Sequence, residues 1–150
     1  MKPLKSKKGN NSNVSGIVIA GGKSRRMGID KRCLTIGDQS LLESAIQKLQ
    51  PLCHEIIVSA SHDDNLKLNG VKVIFDSVPD KGPMTGLLEG LNAMSGNLAL
   101  VIPCDVPFIS TPFLRYLLEL SNNHDIVVPR WNQRLEPLVA VYRKSVVEQL

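Results

Sequence analysis

The stretch "GIVIAGGKSRRMGIDK" (16–31) decides how the chain is read. Ile17, Val18, Ile19 and Ala20 run straight into Gly21 and Gly22, and Lys23, Arg25, Arg26 and Lys31 follow. A short continuous apolar run closed by glycines fits a strand buried on both faces, the kind found in parallel sheets covered by helices. Glycines directly after such a strand let the backbone approach a ligand and let its N–H groups point at it. The cations behind them suit a triphosphate. Two familiar phosphate motifs fail on spacing. A Walker A motif ending in "GGKS" needs a glycine where Ile17 stands, and the dinucleotide fingerprint G-x-G-x-x-G does not match glycines at 21, 22 and 28.

Working outward, the apolar runs "GIVIA" (16–20) and "EIIVSA" (55–60) bracket "SLLESAIQKLQP" (40–51). There Ser40 and Glu43 have capping-box spacing, Leu41, Leu42, Ala45, Ile46 and Leu49 form one stripe, and Pro51 stops the helix. The alternation continues with a strand "VKVIF" (71–75), a helix near 84–94 and a strand "NLALVI" (97–102). A helix with Thr111 and Pro112 at its cap and first positions comes next, then a strand "DIVVP" (125–129). "RLEPLVAVY" (134–142) reads as one more strand, with Pro137 arguing for an edge position or a bend. "KSVVEQL" (144–150) reads as the start of a helix. The pattern predicts an α/β fold with a mostly parallel sheet covered on both sides. Ligands of such sheets bind at the carboxyl ends of the strands, so the segments beginning at Gly21, Ser59, Asp76 and Pro103 are the ones to read for function.

The chain has 150 residues, a size suited to one domain with its own core. Its formal charge of +4 sits in "MKPLKSKKGNNSN" (1–13), which holds four lysines and no acid; without those lysines the chain is neutral. That polar segment is expected to be a disordered basic tail. A basic nucleic-acid binder would instead lose salt-dependent affinity on removal of residues 1–13. No run approaches the roughly 18 apolar residues of a membrane span. Cys33, Cys53 and Cys104 are odd in number, widely spaced and without a CxxC pair, which suits neither a disulfide framework nor a zinc site and fits a reduced cytosolic compartment.

"PCDVP" (103–107) places Asp105 between two prolines directly after an apolar strand. Proline fixes φ, so the turn has few conformations. A carboxylate held there suits Mg²⁺, which takes one or two carboxylates plus substrate phosphates; a turn or helix-capping aspartate is the structural alternative. His54, His62 and His124 have no metal-ligand spacing and are expected to be solvated loop residues.

From Ile19 to Lys31 the chain resembles the signature L-A-G-G-x-S-x-R-M-G-x-D-K of molybdenum cofactor guanylyltransferases, with Ile19 in place of leucine. The likeness extends to Asp76, to Gly82-Pro83-Met84-Thr85-Gly86, to Cys104-Asp105-Val106-Pro107 (C-D-x-P) and to an E-P-L-x-A-x-Y segment from Glu136 to Tyr142. It covers Val14 to Leu150. The resemblance implies a Rossmann-like three-layer α/β/α sandwich of the nucleotide-diphospho-sugar transferase type. It also implies transfer of GMP from GTP to the phosphate of molybdopterin cofactor.

By the same likeness Ile19, Ala20, Gly21 and Gly22 line the nucleotide, Asp76 contacts it, and Arg26 and Lys31 contact its phosphates. Asp105 binds Mg²⁺ and the nucleotide. Cations suit that role because attack on the α-phosphate builds charge there and on the departing pyrophosphate. Ser59 stands where many members carry an asparagine thought to contact the nucleotide; its shorter reach leaves base selection open. Trp131 and Tyr142 lie by the segment that shapes the acceptor side or a core edge. Other cofactor-biosynthesis proteins and acceptor molybdoenzymes are the implied protein partners, with neither nucleic acid nor membrane among the ligands.

Members of the family continue to an N-x-N-T-P-type segment, so the domain, 14–150, is expected to lack the family's C-terminal part. The alternatives are a relative using CTP or another phosphorylated acceptor, and a catalytically incomplete nucleotide-binding module.

Overall fold

The computed structural model describes residues 13–21, 34–61, 66–75 and 82–149. In chain order they form β1 (Val14–Ile19), a hairpin of β2 (Thr35–Ile36) and β3 (Gln39–Ser40), α1 (Leu41–Leu49), β4 (Glu55–Ala60) and β5 (Lys72–Phe75). Then come α2 (Pro83–Ala93), β6 (Leu98–Pro103), α3 (Thr111–Leu120), β7 (Ile126–Val127), a second hairpin of β8 (Arg130–Trp131) and β9 (Arg134–Leu135), and β10 (Ala140–Arg143). Single 3-10 segments follow α3 (Ser121–Asn123) and β10 (Lys144–Gln149). Residues 1–12 of the expected basic tail, Gly22 to Cys33, His62 and the Asp76 segment lie outside the described residues, while Asn13, the last residue of that tail, accepts from Asn97 N at 3.1 Å.

The main sheet has the order β5-β4-β1-β6-β10-β7, and only β10 opposes the other strands. The helices cover both faces. On one, Leu42, Ala45, Ile46 and Leu49 of α1 and Leu114 and Leu117 of α3 pack on Val14, Val18, Val58, Leu100 and Ile102. On the other, Leu87 and Leu91 of α2, with Met94 and Val146, pack on Ile17, Ile19, Ile57, Ala99 and Val101. Alternate residues of each strand thus enter opposite cores, which is why every residue of β1 is buried. Each fully buried aliphatic side chain contributes about 1.5–3 kcal/mol relative to exposure. This is the expected three-layer α/β/α sandwich.

Local signals explain most boundaries. Ser40 and Glu43 form the capping box expected for α1, and α1 ends before Pro51. Ser110 caps α3 by accepting from Phe113 N, so the cap lies one residue before Thr111, and Pro112 takes the early position where its missing N–H costs nothing. The predicted strand over 134–142 is split: 134–135 belong to the exposed hairpin, 140–143 to the sheet, and the chain bends between them around Pro137. β10 is an inner strand and β7 the outer one. Over 125–129 only Ile126–Val127 pair, and 144–149 wind as a 3-10 segment.

Both helices that flank β1 approach it over a glycine. A Cβ at Gly16 would lie 3.0 Å from Leu49 Cδ1 of α1, and one at Gly90 of α2 would lie 2.8 Å from Ile17 Cγ2. Ile17 is fully buried and branched at Cβ, so it has no rotamer into which to retreat. Gly90→Val is expected to destabilise the protein by about 2–3 kcal/mol through overpacking, measurable as a lower urea midpoint at unchanged m-value.

At the amino ends of the strands a polar cluster replaces apolar packing. Ser15, fully buried, donates to Glu55 Oε1, which also accepts from Ser95 N at 2.6 Å and Ser95 Oγ at 2.8 Å; Gly96 N donates to Ser15 Oγ at 3.0 Å. His54, expected to be a solvated loop residue, is tied in, with Nδ1 2.7 Å from Val14 O and Nε2 3.0 Å from Ser95 Oγ. Burial works to raise the Glu55 pKa, but the bonds from Ser15 and Ser95, together with His54, outweigh it and hold the carboxyl at about 2.

The folded value therefore lies below the unfolded one of about 4.3, so the ionised cluster stabilises the fold above that pH and the contribution vanishes as pH falls toward 2. The linked free energy is on the order of 2 kcal/mol. In acid titrations followed by circular dichroism, Glu55→Gln should start less stable than wild type and lose less stability over this window.

Candidate nucleotide site

From β1 the chain passes to β4 and β5 on one side, then returns through α2 to β6 on the other side of β1. The strand order reverses there, and the crevice outside the carboxyl ends of β1 and β6 is where an open α/β sheet takes its ligand. Ile19 and Pro103 are register partners, so both strands end at one level.

Backbone bonds fix how the chain leaves the sheet. Cys104 N donates to Ile19 O at 3.0 Å, while Ala20 N and Gly21 N both donate to Ser59 O, at 2.8 and 3.0 Å. Ser59 itself lies inside β4, one residue short of its end, with its side chain fully buried. The strand runs that far because Ser59 pairs with both Ile19 and Ile74. The Gly21 N–H, expected to point at a ligand, is thus engaged by Ser59.

Among the described residues, Asp105 is the carboxylate brought to this crevice. It is exposed, two residues past the register partner of Ile19. The loop that carries it is held at its start by the Cys104–Ile19 bond and at its end by the Ser110 cap of α3. Between them, Lys48 of α1 donates to Pro107 O, and also to Ser44 Oγ at 3.2 Å. Burial pushes the Lys48 pKa down. Lys48 was not foreseen as part of the site. Its signal is its position seven residues after Leu41, on the margin of the apolar stripe, which turns a lysine toward the sheet rather than into open solvent.

Across the crevice α2 begins at Gly82-Pro83. Gly82 has φ +84°, a conformation that suits glycine, and the helix start has no side-chain cap. Uncapped N–H groups at a helix start favour anions. Ile19, Ala20, Gly21, Ser59 and Asp105 therefore cluster at one end of β1, β4 and β6. Gly22, Arg26, Lys31 and Asp76, with Lys23, Arg25, Met27 and Lys81, lie outside the described residues. Tyr142 is a core-edge residue, buried and donating to Pro137 O at 2.7 Å.

Among the described residues no three His, Cys, Asp or Glu side chains converge as a metal cage. A single exposed carboxylate on a restrained loop fits a cation that takes one or two protein oxygens and fills its remaining positions with phosphate oxygens and water. Of the cysteines, Cys53 and Cys104 are buried and in no disulfide, and burial pushes the Cys53 thiol up to about 12. No described helix is long and apolar enough to cross a membrane.

Lys48→Met keeps the packed stem and removes the donor to Pro107. It is expected to cost about 1–2 kcal/mol of stability and to raise amide exchange selectively in residues 104–110.

A family model described as "MobA-like NTP transferase domain" matches residues 16–150. A probable molybdenum cofactor guanylyltransferase of Chloroflexus aggregans is 39% identical over 143 residues, spanning 91% of this chain and 69% of that protein. One of Pelotomaculum thermopropionicum is 35% identical over 137 residues, spanning 91% and 67%. Among solved structures, molybdopterin-guanine dinucleotide biosynthesis protein A of Archaeoglobus fulgidus superposes with a TM-score of 0.71 at 21% identity, over 90% of this chain and 70% of that one.

Proposed function

The chain belongs to the MobA-like NTP transferase family, and we propose that it transfers the GMP moiety of GTP to the phosphate of molybdopterin cofactor, yielding the guanine dinucleotide form and pyrophosphate. The observation that carries this reading is Asp105, an exposed carboxylate on a loop restrained from three directions, set beside the Ala20-Gly21 turn where the strand order reverses. The relatives it matches at 35–39% identity bear that activity in their names, and the chain spans about two thirds of their length.

In the proposed reaction an oxygen of the acceptor phosphate attacks the α-phosphorus of GTP. The new P–O–P linkage forms as the α–β bridging bond breaks, and pyrophosphate departs with the bonding electrons. No protein nucleophile enters. Ile19, Ala20, Gly21, Gly22, Ser59 and Asp76 belong to the nucleotide side of the site. Arg26 and Lys31 bring positive charge to the α-phosphate and the leaving group, where fixed cations are worth most as charge develops. Asp105 would hold Mg²⁺, which supplies charge neutralisation to the phosphates when bound. What the described residues contribute is position: Ser59 and Ile19 carbonyls fix the two turns, and Lys48 and Ser110 fix the Asp105 loop. Holding two phosphates in line is where much of the rate enhancement of such displacements lies. We assign the protein to the cytoplasm, in keeping with three cysteines that are widely spaced in sequence and without a CxxC pair.

Thermal stability measured with GTP, CTP and ATP, each with and without Mg²⁺, tests the nucleotide assignment. GTP at 100 times its Kd should stabilise by about 2.7 kcal/mol, more with Mg²⁺ than without, and that increment should disappear in Asp105→Ala. With GTP, Mg²⁺ and molybdopterin, Asp105→Asn should lower kcat/KM for pyrophosphate release at least ~100-fold. Equal response to all three triphosphates, or no dinucleotide product from wild type, would refute the reading.

A further inference from the structure

The β8–β9 hairpin plays little part in the core, yet it is built with care. Its turn residues, Asn132 and Gln133, both adopt the left-handed conformation, φ +44° and +65°, as a two-residue hairpin turn requires. Its base is closed by Glu136 N donating to Pro129 O at 3.0 Å. Below it, Val139 N donates to Glu136 O at 3.0 Å and Tyr142 Oη to Pro137 O at 2.7 Å, which fixes the chain where it enters β10. The hairpin then exposes large apolar groups: Trp131 is 73% exposed and Leu135 62%.

Its location follows from the register. Ala140, the first residue of β10, lies opposite Val101 of β6, and β10 runs antiparallel, so the residues before 138 stand beyond Pro103 at the carboxyl end of β6. β7 is antiparallel to β10, so the residues after Val127 leave the sheet at that end too. The hairpin therefore rises from the same end of the sheet as Asp105, over the strands next to β6 and away from β1.

Within the hairpin Trp131 pairs with Arg134 and Arg130 with Leu135. Directly opposed residues share a face, so one face presents an indole beside a guanidinium. From Ile126 to Leu135 there are two arginines and no acid. An exposed indole offers a stacking surface for a planar heteroaromatic ring, and a guanidinium matches a phosphate in charge and in paired donors. We infer that the Trp131 and Arg134 face of the hairpin binds the acceptor, Trp131 stacking on the planar pyrimidinone ring of its fused ring system and Arg134 pairing with its anionic groups. This rests on the reading of the reaction given above; the nucleotide would occupy the β1 side and the acceptor the β10 side of the same crevice.

Calorimetric titration of molybdopterin and, separately, of Mg²⁺-GTP into wild type, Trp131→Ala, Trp131→Phe and Arg134→Ala tests the assignment. Trp131→Ala should weaken acceptor binding roughly ten- to a hundredfold, as loss of one stacking partner does. Trp131→Phe should recover most of it, Arg134→Ala should weaken it about tenfold, and GTP affinity should stay within about twofold in all three. In turnover the change should fall on KM for the acceptor. Unchanged acceptor affinity in Trp131→Ala, or equal losses for acceptor and GTP, would overturn the inference. Absence of dinucleotide product from wild type would refute the proposed reaction, while the acceptor titrations would still decide the role of Trp131.

Discussion

Two carbonyl oxygens, those of Ile19 and Ser59, determine where the chain can leave the sheet at its ligand end. The first accepts from Cys104 and so sets the start of the Asp105 loop; the second accepts from both Ala20 and Gly21 and so sets the glycine turn. None of these three bonds would exist without the register that places Ile19 beside Ser59 on one flank and Pro103 on the other. That register depends in turn on β1 lying centrally with a different core on each face. A slip of one residue would carry Ile17 and Ile19 into the core now filled by Val14 and Val18.

The two ends of the sheet are built on opposite principles. At the amino end, Glu55 is ionised but spends its charge on Ser15 and Ser95, donors from the other two segments that meet there. It holds β1, β4 and the approach to β6 together and leaves little charge for a ligand. At the carboxyl end the carboxylate of Asp105 faces solvent, and the supporting bonds are made by backbone and by Lys48. Restraint there acts on the loop that carries the exposed carboxylate. The cluster that ties the strands together and the proposed binding residue thus lie at opposite ends of the sheet.

Periodicity revealed the elements that rest on local rules. The capping box of α1 and the doubly apolar β1 were legible because each has a signature within a few residues, whereas the glycine-proline start of α2 followed from the family likeness. Asp105 was legible for the same reason, being the only acid between two prolines after a buried run. What escaped was decided across the chain. Neither the division of 134–142 between a free hairpin and an inner strand nor the reversal of β10 is encoded by its own residues, because they depend on which neighbour β10 finds. Lys48 and the Glu55 cluster escaped likewise, since their partners lie 40 or more residues away in sequence. The resemblance to the guanylyltransferases named residues, but only the topology shows why Ile19, Ser59 and Asp105 are neighbours.

The outer margin of the sheet has a consequence for association. β7 offers only Ile126 and Val127 to a further strand, and its inner side is already paired with β10. A row of free N–H and C=O groups long enough to template another chain is what makes sheet margins aggregate, and very short outer strands are one of the ways proteins avoid it. Although Ile126 is 42% exposed, a stray extended segment would gain too few backbone bonds on β7 to offset the entropy of its own ordering.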